Sequence, residues 1–144
     1  MEKKYDFNQI PTSWKYCFNR DCPMCGECLR YQTAIEIPGE LLWGEAVFPT
    51  ALKDGRCQFF RKDELVTLAT GFTGGGHPAM GDAFLRMRHR LTNYLGGNGT
   101  YYLYRNGKKW LSPSRQEDIQ RMFRQAGYGM EVEFDTTKQA YDFT

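Results

Sequence analysis

The sequence lacks any long apolar run, and its mean hydropathy is −0.62, so we expect no membrane-spanning helix and no membrane partner. Its first residues, Met1 to Asp6, also lack the apolar segment of a secretory signal. The five cysteines are an odd number, which does not suit a complete set of disulfides. We therefore predict a cytoplasmic protein whose cysteines are reduced.

Four of the five cysteines lie close together, between Cys17 and Cys28. Within this stretch, the run Cys22-Pro23-Met24-Cys25-Gly26 resembles the metal-binding turn, or knuckle, of rubredoxins and zinc ribbons. Two residues between the cysteines let both sulfurs reach one tetrahedral ion. The proline fixes φ for a tight turn, and the glycine is expected to supply a positive φ after the second cysteine. The stretch therefore predicts a metal-binding lobe.

A structural zinc site needs four ligands, and a knuckle supplies two. Cys17 and Cys28 flank the knuckle, and Cys57 follows a predicted turn at Lys53-Asp54-Gly55. Ligation by Cys57 would close a long loop and so remove entropy from the unfolded chain. A small apolar residue in a core would give the same sequence pattern as Cys57. The metal candidates are Cys17, Cys22, Cys25, Cys28 and Cys57, and zinc is the predicted ion.

An iron–sulfur cluster is the alternative cofactor. Cys17, Cys22 and Cys25 have the spacing of plant-type ferredoxins, and Cys22, Cys25 and Cys28 match the opening of the bacterial ferredoxin run. Both matches are partial, because the loop before Cys22 carries bulky and charged residues and the proline follows the first cysteine of its run. A cluster would indicate a redox or sensing role, whereas zinc would indicate a structural one.

The net charge of +2 hides an uneven distribution. Residues 84–124 carry 9 Lys and Arg against 2 Asp and Glu, a balance of +7, and the rest of the chain is acidic on balance. Basic side chains neutralise phosphates and aromatic rings stack on bases, so this stretch predicts contact with DNA or RNA. A solvated basic face with its aromatic residues in the core is the alternative. The candidates are Arg86, Arg90, Arg105, Lys108, Lys109, Arg121, Arg124, Tyr102 and Tyr104.

The order of the predicted elements indicates an α+β fold, a small mixed domain with a short antiparallel sheet, a hairpin and two main helices. We predict one domain over residues 1–144, composed of a cysteine-rich metal-binding lobe at 1–40 and an α+β body at 41–144. Helices are predicted over Ala79–Leu95 and from Ser112-Pro113 onward, with Ser114 as an alternative cap that would start the second helix two residues later. Strands are predicted at Leu41–Phe48, Leu65–Thr70 and Met130–Phe134, and Asn106-Gly107 predicts a hairpin.

Evidence for catalysis is thin in this sequence. Gly71–Pro78 is rich in glycine but is not followed by the Lys-Ser/Thr of a phosphate-binding loop, so we interpret it as a connector. His77 and Asp82 are a suggestive pair, yet nothing supplies a nucleophile with a base and an orienting group. We do not expect an enzyme. A protein-interaction or regulatory module without nucleic-acid binding is a further alternative.

The chain also resembles an uncharacterised family of domains from gut Bacteroidetes. The resemblance covers most of the chain and is carried by Cys17, Cys22-Pro23, Cys28-Leu29-Arg30-Tyr31, Phe60-Arg61, Thr100-Tyr101-Tyr102 and Leu111-Ser112-Pro113. It implies that Cys17, Cys22, Cys28 and Cys57 form the recurring set, with Cys25 outside it. The resemblance implies an architecture and no activity.

Overall fold

The computed structural model describes residues 4–74 and 77–144, so Gly75 and Gly76 of the glycine-rich connector lie outside the described residues. The described residues form a mixed α/β structure of short sheets and helices. They divide into two compact units: the first ends at Glu64 and includes Phe143, and the second is Leu65–Asp142 with Thr144. The lobe predicted for residues 1–40 lies within the first unit.

Among its described residues, the first unit contains one short α-helix and four very short strands. The first two strands pair in parallel and place Cys17 opposite Val47, while the last two form an antiparallel hairpin. Asp54 and Gly55 turn this hairpin with φ angles of 51° and 74°, the left-handed region that a tight hairpin turn requires. The elements are β1 Lys15–Cys17, α1 Leu29–Ala34, β2 Glu45–Val47, β3 Leu52–Lys53 and β4 Arg56–Cys57, with 3₁₀ turns at Cys25–Glu27 and Pro49–Ala51.

Trp14 anchors the interior of the first unit. Its indole Nε1–H donates to Thr33 Oγ1 at 3.2 Å, and its ring meets the Phe143 ring edge-on at 5.1 Å between centroids. Leu29 and Tyr16 are buried in the same unit. The interior is therefore built on a few large side chains rather than on whole helix faces.

The described part of the second unit packs four helices with one antiparallel strand pair, in which Leu65 lies opposite Tyr141 and Thr70 opposite Thr136. Its helices bury a continuous apolar cluster in which Phe84 lies 5.3 Å from Phe72 and 5.5 Å from Phe123, measured between ring centroids. In the described residues, none of the helices has the length and apolar character needed to cross a membrane. The elements are β5 Leu65–Thr70, α2 Pro78–Arg86, α3 Arg88–Leu95, α4 Asn98–Arg105, α5 Pro113–Gln125 and β6 Thr136–Tyr141.

The predicted hairpin at Asn106-Gly107 is wrong, and with it the expectation of only two main helices. The preceding residues form α4, Asn106 is its C-terminal cap, and Gly107 follows with a φ of 79°. Tyr101 and Tyr104 are buried on one face of this helix. A left-handed glycine ends helices as well as turning hairpins, so tertiary packing of the tyrosines decided between the two.

The helix predicted over Ala79–Leu95 is interrupted at Met87, which separates α2 from α3. Its apolar stripe survives the break, because Phe84, Met87 and Leu91 are all buried in the core cluster. The start of α5 is as predicted: Ser112 caps it, with Oγ accepting the backbone N–H of Arg115 at 3.4 Å.

Two predicted strands are displaced. Only Glu45–Val47 of the segment Leu41–Phe48 is a strand, and Leu42 and Trp43 are 85% and 78% exposed. At the other end, the strand lies at β6 rather than at Met130–Phe134. Within Met130–Phe134, the side chain of Val132 is buried without a partner strand, because the Gln120 side chain forms hydrogen bonds with both the backbone N–H and the carbonyl of Val132.

Candidate metal centre

All five cysteines line one small cavity in the first unit, with a volume of about 20 Å³. This volume suits one water-sized occupant. The cysteines reach the cavity from separate segments: Cys17 from β1, Cys22 and Cys25 from the turn that follows, Cys28 from the N-terminal cap of α1, and Cys57 from β4. The structure thus brings together every cysteine that the sequence singled out.

The turn at the predicted knuckle is present, but its glycine does not behave as expected. The backbone N–H of Cys25 donates to the carbonyl of Cys22 at 3.1 Å, which closes the turn. Gly26, however, belongs to the 3₁₀ turn Cys25–Glu27 and has no positive φ. The chain continues in this helical turn because it must lead directly into Cys28 and α1. The rubredoxin-like geometry predicted for Gly26 is therefore wrong.

Three neighbouring cysteines act electrostatically on the thiol of Cys17. Burial raises the pKa of Cys17, a backbone hydrogen bond at Asn19 lowers it, and the neighbouring Cys28, Cys22 and Cys57 raise it further. Cys25 is not among the groups that shift this pKa. Its Sγ–H donates instead to the carbonyl of Arg20 at 3.8 Å.

The sulfurs share the cavity without standing in ligating positions. Within residues 4–74 and 77–144, no three Cys, His, Asp or Glu side chains are arranged so that they could hold a metal ion as they stand. A cysteine sulfur moves between staggered positions by rotation about one bond, with no change in the backbone. The backbone thus sets which thiols face the cavity, and side-chain rotation sets their spacing.

Arg30 places a positive charge in the cavity wall. It is buried, and its guanidinium donates from Nε to the carbonyl of Phe59 at 2.6 Å and from Nη1 to the carbonyl of Lys15 at 3.0 Å. The guanidinium carbon also lies 4.1 Å from the centre of the Trp14 ring. These contacts fix the cation in the wall of the cysteine-lined cavity.

The cavity has an apolar wall that sequence reasoning did not assign to the site. It is formed by Val47, Phe59 and Phe60. The only signal for it in the sequence was the position of the two phenylalanines just after Cys57.

Both histidines belong to the second unit and neither lines this cavity. His77 Nε2 lies 3.5 Å from Glu133 Oε2, with both side chains well exposed, so the structure pairs it with a residue other than the predicted Asp82. His89 Nε2 is 3.4 Å from Asn93 Nδ2 on α3. Neither arrangement brings a nucleophile and a base together.

The basic stretch is distributed over α2 to α5 of the second unit. Arg90 is directed at the end of α5, 3.5 Å from the carbonyl of Met122, and Arg121 donates to Asp118 Oδ1 at 3.1 Å. Tyr104 is only 7% exposed, so its ring offers no open face for base stacking. Tyr102 is 38% exposed, and its hydroxyl accepts a hydrogen bond from Arg88.

The other basic candidates have few contacts. Arg105 Nη1 donates to Asn106 Oδ1 at 3.3 Å, and Lys109 Nζ lies 5.9 Å from the centre of the Tyr104 ring. In the part of the chain that the structure describes, the side chains of Arg86, Lys108 and Arg124 form no hydrogen bond or ion pair. Their charges are thus open to solvent.

Comparison with known proteins gives one match. A family model described as a family of unknown function matches residues 1–143, which is nearly the whole chain. Neither the curated proteins nor the solved structures contain a match. The comparisons therefore place the chain in a family but supply no activity, ligand or partner.

Proposed function

The chain belongs to this family of unknown function, DUF6078, and we propose that it is a binding module whose first unit is stabilised by one zinc ion. Cys17, Cys22, Cys28 and Cys57 would be the ligands, and Cys25 would stay outside the set. Four thiolates in a tetrahedron form the closed site typical of structural zinc. Such a site adds folding free energy where the apolar core is small.

One observation carries this proposal: cysteines from four separate segments converge on a cavity the size of a single ion. Four ionised thiols in one cavity repel each other, and a divalent cation removes that repulsion. Zinc with four thiolates has a formal charge of −2. Arg30 in the wall offsets part of that charge.

Cavity size favours zinc over the iron–sulfur alternative. A cluster contains several iron and sulfide atoms, whereas a volume of about 20 Å³ accommodates one small occupant. Closing the thiols on one ion would require their side chains to rotate.

Elemental analysis of protein purified under reducing conditions, together with a visible absorption spectrum, tests the proposal. We expect about one zinc per chain and a colourless protein. Separate Ser substitutions of Cys17, Cys22, Cys28 and Cys57 should each lower zinc content strongly. Cys25→Ser is the matched control and should keep it. A brown protein containing iron would establish the cluster instead, and a metal-free protein would contradict both.

Nucleic-acid binding through the second unit is a second candidate function, supported by charge. Residues 84–124 carry a balance of +7, and the open candidates are spread over successive helices. An electrophoretic shift with single-stranded and duplex DNA and RNA at low salt tests it, and binding should weaken steeply as salt is added. Failure to bind would favour a protein partner, for which the exposed Leu42 and Trp43 provide apolar surface.

A further inference from the structure

A second cavity of the first unit lies on the other face of the β3–β4 hairpin from the cysteines. It is an open cleft of about 520 Å³, a volume common for small-molecule sites. Side chains alternate along a strand, so Cys57 faces the small cavity while Lys53 and Arg56 face the cleft. Val47 and Phe59 form part of the wall of both.

The charged side chains that line this cleft are all positive: Lys15, Lys53 and Arg56. Lys15 Nζ has a counter-charge outside the lining, Glu45 Oε2 at 3.6 Å. Among the described residues, neither Lys53 nor Arg56 has a recorded ion pair or side-chain hydrogen bond. Two cations of the cleft are therefore available to a ligand.

Lys53 and Arg56 also lie directly opposite each other in the hairpin. Like charges at such a pair of positions destabilise the strands that carry them. An anion between the two side chains would replace this repulsion with two attractions. The guanidinium of Arg56 suits a phosphate in particular, because its planar fork can donate two parallel hydrogen bonds.

The rest of the cleft is largely apolar. Phe48, Val47, Ala46, Ala51 and Phe59 contribute to the lining, and Phe48 is 74% exposed. An exposed phenylalanine beside a pair of cations provides a surface on which a ring can stack. Inorganic phosphate would leave this surface in contact with water.

We infer that this cleft binds a small organic phosphate, whose phosphate group contacts Lys53 and Arg56 and whose ring packs against Phe48. A phosphate monoester carries close to two negative charges at neutral pH, which matches the two cations. This site is additional to the metal centre and uses none of its thiols.

Phenyl phosphate is the probe that combines both features, and phenol and inorganic phosphate each provide one of them. We expect phenyl phosphate to bind the wild-type protein at least about tenfold more tightly than either. In two-dimensional NMR spectra of the protein, the backbone amide resonances that phenyl phosphate shifts should concentrate on β2, β3, β4 and the 3₁₀ turn Pro49–Ala51. Equal affinity for phenyl phosphate and inorganic phosphate would overturn the inference, as would shifts centred elsewhere.

Variants separate the two contributions. Lys53→Gln with Arg56→Gln should weaken phenyl phosphate binding by about tenfold or more, since two charge-assisted contacts are lost. Phe48→Ala should reduce the affinity for phenyl phosphate to that for inorganic phosphate. Lys108→Gln removes an exposed cation of the second unit and is the control, which should bind as the wild type does. Unchanged binding in the double variant would contradict the proposed contacts.

The ligand titration and the metal analysis are carried out on the same wild-type preparation, and their results are interpreted independently. Protein that binds phenyl phosphate but contains no metal would uphold the cleft and contradict the zinc proposal. Protein that contains zinc but shows no shifts at the hairpin would do the reverse.

Discussion

Each of the two units of this chain is stabilised internally by a different means. In the second, thirteen buried residues from the helices and the loops between them form one continuous apolar cluster. In the first, the described residues contribute none to that cluster, and its strands are two or three residues long. It contains instead a buried arginine and all five cysteines around one cavity.

This difference shows what short elements can and cannot do. A helix of two or more turns buries an apolar stripe, as α5 does with Ile119 and Phe123. A strand of three residues buries one or two side chains, and a small unit of such strands needs a cross-link, a metal or a partner for stability. In our proposal, the zinc ion supplies that stabilisation where the apolar core is smallest.

Removal of the metal is the strongest test of the comparison. A chelator strong enough to extract zinc should unfold the first unit, because structural zinc contributes about 10 kcal/mol or more in small zinc domains. The second unit should keep its helices. Hydrogen exchange followed by mass spectrometry would detect this as lost protection around Trp14 and α1, with α5 still protected. Protection that persists in both units would mean that the first unit does not depend on a metal.

A core substitution in the second unit should give the opposite result. Phe123 is fully buried between Phe84 and Tyr128, and Phe123→Ala should cost about 3–5 kcal/mol. Zinc content should not change. The matched control is Phe18→Ala in the first unit, since Phe18 is largely exposed and its removal should cost little. Urea denaturation and elemental analysis of both variants provide the two measurements. Loss of zinc in Phe123→Ala would show that the units do not differ as described.

Arg30 sharpens the comparison within the first unit. Arg30→Lys keeps the charge but loses the fork that reaches the carbonyls of both Phe59 and Lys15. We expect a loss of about 1–3 kcal/mol, since a partly buried carbonyl is left without its donor. Arg20→Lys, at an exposed position before the knuckle, is the control. The temperature of thermal unfolding and the affinity for zinc should both fall in Arg30→Lys, and neither should fall in Arg20→Lys. Wild-type stability in that variant would make the charge, and not the geometry, the contribution of Arg30.

The sequence predicted the second unit best where its pattern had a single physical solution. The strand at Leu65–Thr70 was of this kind. Asn106-Gly107 was not, because left-handed residues end helices as readily as they turn hairpins. Only the burial of Tyr101 and Tyr104 on one helix face decides between them, and burial is a property of the whole fold.

For the candidate metal centre, the sequence identified the cysteines but not their surroundings. Clustered thiols are a local signal, and ligation by Cys57 stays a prediction now supported by its position in the cavity wall. The cleft could not be predicted, since it depends on which side of a two-residue strand each side chain faces. Lys53 and Arg56 flank the Asp54-Gly55 turn in the sequence, and exposed cations are usual beside such turns.

The smallest expected effect is a pH dependence in the second unit. Tyr94 donates its hydroxyl to Asp118 Oδ2 at 2.6 Å, and burial, followed by this hydrogen bond and the carboxylate charge, raises the pKa of Tyr94 to about 12. The folded state therefore holds the phenol proton more tightly than the unfolded state, whose pKa is about 10. The stabilisation is complete below pH 10 and is lost as the pH rises toward 12.

Tyr94→Phe should remove that part of the pH dependence of stability, which urea titrations of both proteins between pH 9 and about 12 would measure. Because the side chain is partly exposed, the difference should be small. Identical slopes in the wild type and in Tyr94→Phe would show that the bond to Asp118 contributes nothing to the stability of the second unit.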